Sequence, residues 1–315
     1  MKLGVALAWH VHPWEELLAL VQRAEELGYE AAFVDGDVSM LGEHRERDVL
    51  DGWTATTALL AHTRRIQIGS IRLVHHWNAA RLAQAAATAE RLAPGRLRFL
   101  ISIGDRPNDE RFGLAKLPAG ERIRWLDETL TALRGLWRGD AVTLDGRYVQ
   151  LDGARVRPVP AGGGIPIAIA ARGPRMLDLV AAHGNSWEVN LPPVASRVRE
   201  AAAQLAEACR RRGRDPGEIS RSLWIFTRVD PSLDAAAALR EYRELNPWFG
   251  AIPDAELAEG LVVGSAADCG RRIAELAREL SLDLPVIDLS GLAAAPARRV
   301  MEGLAPENTD VDAGT

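Results

Sequence analysis

Two stretches of the chain carry side chains suited to holding an anion. In IAIAARGPRMLDL an apolar strand ends in small residues, Arg172 follows, and Gly173 and Pro174 open a helix. The free N–H groups of such a helix start attract negative charge, and Arg172 adds a fixed cation beside them, which makes phosphate the expected anion. An ordinary helix start with a solvated Arg fits the same letters. In LISIGDRPNDERFG, Leu100 to Gly113, apolar alternation runs straight into Asp105, Arg106, Asp109, Glu110 and Arg111. Pro107 stiffens this turn, Arg106 can offer a two-pronged contact to phosphate, and Asp105 can accept a hydrogen bond or orient Arg106. Asp109 to Arg111 read as the solvated start of the next segment, and a solvated turn is the competing reading of the whole run.

The groups able to move protons are His10, His12, His75 and His76, together with Asp35 and Asp37. As a metal set they are poor, because adjacent His75 and His76 would project to opposite faces if a strand continues through them, and no metal is expected. The better reading has one or two of these histidines lining a pocket whose walls include Trp9, Trp53 and Trp77, a surface suited to a flat conjugated ring, with core packing as the competing role for the tryptophans. Cys209 and Cys269 lie in helix-like runs without metal-ligand spacing, which argues against a zinc site or a disulfide framework.

Such groups need a scaffold that brings them to one face. KLGVALAW reads as a strand and PWEELLALVQRAEELG as an amphipathic helix with a terminal Gly, and the alternation then repeats along the chain. A period-two segment, Asp140 to Gly164, interrupts the rhythm and reads as a β-hairpin. Eight strand–helix units with no dinucleotide glycine fingerprint after the first strand predict a single (β/α)₈ TIM barrel, α/β in class, with the hairpin as an excursion before strand 5. The barrel domain is expected over 1–305, with 306–315 as a flexible tail. The Pro-, Gly- and aromatic-containing segment Tyr242 to Gly260 reads either as a lid over the mouth or as a plain surface loop.

In this fold the active site sits at the carboxyl ends of the strands. Those ends include Trp9, His10, Asp35, Asp37, His75, His76, Trp77, Asp105, Arg106, Ala171, Arg172, Gly173, Glu188, Asn190, Thr227, Arg228, Asp288 and Ser290. A formal net charge of -5 over 315 residues, with Lys scarce beside Arg, argues against nucleic acid as a partner. No run of about twenty apolar residues is present and the first apolar run is too short for a signal peptide, so neither a membrane span nor export is expected; the cytoplasm and a small-molecule substrate are.

The order of elements and several phrases resemble the luciferase-like monooxygenase superfamily, which unites flavin-dependent monooxygenases with oxidoreductases using the deazaflavin coenzyme F420. AEELGYEAAFVDGD is similar to that family's second strand, AHTRRIQIGSIRLV to its third, and RLAPGRLRFLISIGD followed by RFG to its fourth. LWRGDAVTLDGRYVQLDGARVRPVP with IPIAIAARGPRMLDLVAAHGNSW is similar to the hairpin and fifth unit. The resemblance covers about residues 1 to 190, with LVVGSAADCGRRIAELA matching more loosely. It implies a cofactor ring across the barrel mouth, its phosphate near Ala171, Arg172 and Gly173. It also implies a non-prolyl cis peptide around Ser70 to Arg72, so that Asp35, Ser70, Ile71, Asp105 and Arg106 join the cofactor-binding set. His76, Asn190 and the three tryptophans Trp9, Trp53 and Trp77 are the expected substrate pocket.

One departure concerns the chemistry. Members commonly close the second strand with an Asp-His pair, and here the place reads Asp35, Gly36, Asp37. Either Asp37 takes the histidine's role, which would need burial to raise its pKa, or His10, His75 or His76 reaches in from a neighbouring strand. The Gly104-Asp105 pair resembles the deazaflavin-dependent methylenetetrahydromethanopterin reductase branch, whereas Arg106 stands near a phosphate-binding Arg of luciferase-type enzymes. Coenzyme F420 is the favoured cofactor and FMN the alternative. The favoured function is hydride transfer to or from a small, partly hydrophobic organic substrate; the alternatives are an FMN-dependent monooxygenase and a non-catalytic flavin-binding or structural protein. The family generally pairs through the helices after strands two and three, and the Ala-rich AARLAQAAATAERLA suggests the same homodimer.

Overall fold

The computed structural model describes residues 1–8, 12–34, 36, 49–104, 112–114 and 117–306. In chain order the elements are β1 (Gly4–Ala6), α1 (Trp14–Glu26), β2 (Ala31–Val34), α2 (Gly52–His62), β3 (Gln67–Leu73), α3 (Ala79–Leu92), β4 (Leu97–Ser102), α4 (Ala119–Arg138), β5 (Val142–Asp145), β6 (Gln150–Ala154), β7 (Ile167–Ala171), α5 (Pro174–His183), β8 (Ser186–Val189), α6 (Ala195–Arg211), β9 (Ser220–Arg228), α7 (Ala235–Leu245), α8 (Asp254–Ala258), β10 (Val262–Val263), α9 (Ala266–Leu280), β11 (Leu284–Asp288) and α10 (Ala294–Gly303). Strands β1, β2, β3, β4, β7, β8, β9 and β11 pair in parallel and close as β11 returns to β1, the (β/α)₈ barrel that the strand–helix rhythm predicts. Strands β5 and β6 form the separate antiparallel hairpin. The two-residue β10 extends the far end of β9 and has no counterpart in the reading of the sequence.

Parallel register sorts each strand into inward and outward residues. Ile71 lies beside Leu100, Leu100 beside Ala168, Ala170 beside Glu188, Glu188 beside Ser222, and Trp224 beside Val286. This parity puts Ala6, Ala31, Phe33, Leu100, Ala168, Ala170, Leu284 and Val286 in a small inner core, joined by Ile71 and Trp224. The alternate residues, such as Val5, Ile101, Ile169 and Trp187, face the helices in the larger outer core. Small alanines across the interior leave room toward the mouth.

Local choices fix the helices. The Asp51 carboxylate caps α2 by accepting from the Thr54 N–H at 2.7 Å, and the Asn78 side chain caps α3 by accepting from the N–H groups of Ala80 and Arg81. The alanines of α3 turn inward: Ala79, Ala83, Ala86, Ala87 and Ala89 are buried against the chain's own barrel, and the Trp137 indole donates to the Ala83 carbonyl at 3.0 Å. Their spacing therefore serves intrachain packing. Two expectations need correction. The peptide bonds from Ser70 to Arg72 are not cis, the cis bond among the described residues being Arg157–Pro158; β3 keeps one parallel register with β4 from Ile68 to Leu73. His75 and His76 do not point apart either. The strand ends at Leu73, Val74–His76 forms a 3₁₀ turn, and the two rings meet edge to face at 4.4 Å.

Candidate active site

The carboxyl ends of the strands surround a cavity of about 390 Å³. Its walls are mostly apolar, from Ala8, Val34, Ile71, Leu73, Ile103, Ile123, Met176 and Leu191 to Trp224, Trp248 and Phe249. The segment after β9 closes one side, since Tyr242, Asn246, Trp248 and Phe249 all line the cavity. This places part of the Tyr242–Gly260 insertion over the mouth.

Of the residues singled out from the sequence, Ile71, Arg172, Gly173 and Asn190 line this cavity. Gly173 is the N-cap of α5 and offers no side-chain cap, and Pro174 takes the first helical position. Among the described residues no side chain caps the first N–H groups of the helix, and they open at the mouth beside Arg172, whose guanidinium donates to the Trp248 carbonyl at 3.3 Å. Ala171 points away from the cavity, beneath the Trp187 indole that donates to its carbonyl at 2.9 Å.

Other residues fall elsewhere for reasons of parity. Ser70 and Arg72 face outward from β3, where Ser70 Oγ donates to the Gly52 carbonyl at 2.9 Å and the buried Arg72 guanidinium donates to Ser70 Oγ. Arg72 also lies 5.2 Å from the Trp53 ring and 6.0 Å from the Trp77 ring, and the two indoles meet edge to face at 5.9 Å. Trp53 and Trp77 thus pack behind β3 rather than on the mouth wall. His75, His76 and Trp77 line a second cleft of about 340 Å³ together with the stacked pair Trp125 and Tyr148. His75 still touches the mouth indirectly: a Cβ on Gly104 would lie 2.9 Å from its Cε1. Trp9, His10, Asp35, Asp37, Asp105 and Arg106, and with them the charged run after β4, lie outside the described residues.

Gly36 has a steric reason. A Cβ there would fall inside the van der Waals contact of the Ile71 carbonyl oxygen and 2.9 Å from Ile71 Cγ2. The ends of β2 and β3 approach too closely for a histidine at this position without moving β3.

Two buried acids on the cavity wall, Glu188 and Asp288, stand among the strand ends named from the sequence but were given no role there. Glu188, 5% exposed, accepts from Ser222 Oγ at 2.5 Å through Oε2, while its Oε1 has no hydrogen-bond partner among the described residues. Burial pushes its pKa up to about 7, opposed by the Ser222 hydrogen bond and by Arg98. Asp288 is raised by burial as well, against the Ser290 hydrogen bonds and the charge of Arg228. The Trp224 indole N–H is also buried without a partner among the described residues. Inward parity from Ser222 through Trp224 to Phe226 was the available signal, as was a charged residue between two apolar ones in SWEV.

These features fit a flat ring with a phosphate-bearing tail. The cavity supplies apolar faces and the Gly173 helix start an anion cradle.

Comparisons agree with the geometry. Residues 1–248 match the model of the luciferase-like monooxygenase family. The F420-dependent glucose-6-phosphate dehydrogenase of Mycobacterium leprae (strain Br4923) is 31% identical over 248 residues, spanning 75% of this chain and 71% of that protein. Among solved structures, an F420-dependent secondary alcohol dehydrogenase in complex with an F420-acetone adduct superposes with a TM-score of 0.84 at 20% identity, covering 97% of this chain and 98% of the other. The monooxygenase RslO1 from Streptomyces bottropensis superposes at 0.79 with 19% identity, covering 97% and 98%; at these identities both structures bear on the fold alone. The matched family model, the identity to the mycobacterial protein and the closed barrel together establish that the chain belongs to the luciferase-like monooxygenase family.

Proposed function

We propose that this protein is a coenzyme F420-dependent oxidoreductase that interconverts an alcohol and its carbonyl product on a small, partly hydrophobic molecule. The observation that carries the reading is the apolar, ring-sized cavity at the strand ends in a chain 31% identical over 248 residues to a protein named for F420-dependent oxidation of a sugar phosphate. When bound, the deazaflavin supplies a hydride acceptor or donor. Arg172 and the α5 N-terminus hold its phosphate, and Val34, Ile71 and Leu73 offer apolar contact to the ring. Trp248 and Phe249 exclude water from above. The cationic side chains on the described wall are Arg122 and Arg172, both donating to backbone carbonyls, and the same cavity is lined by two buried acids. That balance favours an alcohol whose remainder is apolar over a sugar phosphate.

His75 is proposed as a support of the mouth through Gly104, and Asp105 and Arg106 are proposed as cofactor contacts, as expected from the sequence. We further propose residues 1–305 as one barrel domain, working as a cytoplasmic homodimer; among the described residues no helix is long and apolar enough to cross a membrane. Light scattering that returned about the chain mass of 34.2 kDa at micromolar concentration would rule the dimer out.

The deciding experiment titrates the purified protein with F420 and, separately, with FMN, following fluorescence quenching. It then follows F420 reduction across a panel of secondary alcohols. Micromolar affinity for F420 with alcohol-dependent reduction is the expected result. Micromolar FMN binding with no response to F420 would overturn it in favour of a monooxygenase, and tight F420 binding without turnover of any alcohol would favour a binding protein.

A further inference from the structure

The position where the family commonly carries a histidine is closed in this chain, because the Ile71 carbonyl occupies the space a side chain at Gly36 would need. A buried acid stands elsewhere on the same cavity wall. We propose that Glu188, held by Ser222 in the cavity wall, is the proton acceptor for the substrate hydroxyl, in a subsite that takes the alcohol end of an otherwise apolar molecule. This rests on the deazaflavin reading above.

The geometry distinguishes Glu188 from the other acid. Asp288 Oδ1 already accepts the Ser290 N–H at 3.0 Å, whereas Glu188 Oε1 is buried, unpartnered and on the cavity wall. A buried carboxylate oxygen without a donor is costly unless a ligand supplies one, and a hydroxyl does. From the next strand, Trp224 adds an unpartnered indole N–H, which suits the oxygen of an alcohol or carbonyl. The groups around Glu188 are few: β7 presents Ala168 and Ala170, β9 presents Ser222 and Trp224, β4 contributes the Arg98 charge, and Asp288 of β11 lines the same cavity. A carboxyl so placed titrates near neutrality, where a general base works best. In alcohol oxidation a bound deazaflavin would supply the acceptor for the carbon-bound hydrogen, which leaves with its electron pair as hydride. The hydroxyl proton passes to Glu188 Oε1 as the C=O bond forms; reduction of the carbonyl returns it.

The test uses the full chain as wild type, Glu188→Gln and Ser222→Ala, labelled with ¹³C at the glutamate carboxyls. The Glu188 signal, assigned by its loss in Glu188→Gln, is expected to titrate near pH 7. It should move to higher pH in Ser222→Ala, and should shift on adding cyclohexanol but not methylcyclohexane. A signal that titrates in the ordinary glutamate range, or ignores cyclohexanol, overturns the proposal. With F420 and cyclohexanol, kcat is expected to fall about 100-fold or more in Glu188→Gln, with F420 affinity unchanged. In Ser222→Ala the rise of kcat with pH moves upward. Loss of F420 affinity in Glu188→Gln would make Glu188 a cofactor contact and overturn the assignment. A wild-type protein that does not bind F420 fails the deazaflavin reading instead, while the carboxyl response to cyclohexanol decides the subsite independently.

Discussion

Burying the Glu188 carboxyl should make the fold's stability fall as the pH rises toward 8. Its folded pKa is raised from 4.5 to about 7 by desolvation, so the folded state holds the proton more tightly than the unfolded chain. The sign follows from linkage: between about 4.5 and 7 the native state binds more protons than the unfolded state, and stability drops across that window. Below it Glu188 carries no penalty, and above it the penalty is complete. At about 1.4 kcal/mol per pKa unit the full effect is about 3 kcal/mol, and at 5% exposure little solvent screening reduces it. Glu188→Gln removes the charge but keeps the shape and an acceptor for Ser222. Asp288, raised in the same direction, is common to both proteins and cancels in the difference. For a chain of 315 residues the unfolding entropy is about 0.7 kcal/mol per kelvin, so about 3 kcal/mol is about 4 °C in Tm. Differential scanning fluorimetry of both proteins from pH 5 to 8.5 reads this directly. The Tm gap, variant minus wild type, should widen by about 4 °C across the range. Parallel curves would mean that Glu188 ionises as freely as an exposed glutamate, and the account of its environment would fail.

Arg172→Ala should weaken F420 binding about tenfold or more, the usual cost of a charge-assisted hydrogen bond, with the apo Tm unchanged; equal affinity would return ARGP to an ordinary helix start. Trp53→Ala should cost about 2–4 kcal/mol by uncovering the buried Arg72 guanidinium, yet leave F420 affinity intact because the ring lies behind β3; a large affinity loss with normal stability would put Trp53 back on the mouth. Gly36→Ala should lower stability by about 1–3 kcal/mol through its clash with the Ile71 backbone, and an unchanged Tm would show that β2 and β3 separate there at no cost.

The barrel was legible because its signal is repeated: every strand–helix unit carries its own period, and the closing partners follow once the units number eight. The α5 start was legible for a different reason, since Gly173 and Pro174 are local chemistry that neighbouring strands cannot change. What the sequence hid depends on parity and on closeness between strands. Whether Trp77 or Trp224 meets the cavity is settled by where β3 ends and by which residues of β9 face inward. A one-residue uncertainty at a strand end, as where β3 turns at Val74 instead of running on through His76, reverses the answer. Gly36 shows the same limit from the other side. Read as a letter, it is a missing histidine; read against Ile71, it is the residue that lets two strand ends meet. An acid–base group displaced from that spot must come from another strand that faces the cavity, and the alternation of β8 puts Glu188 on the inward side, between Trp187 and Val189 of the outer core.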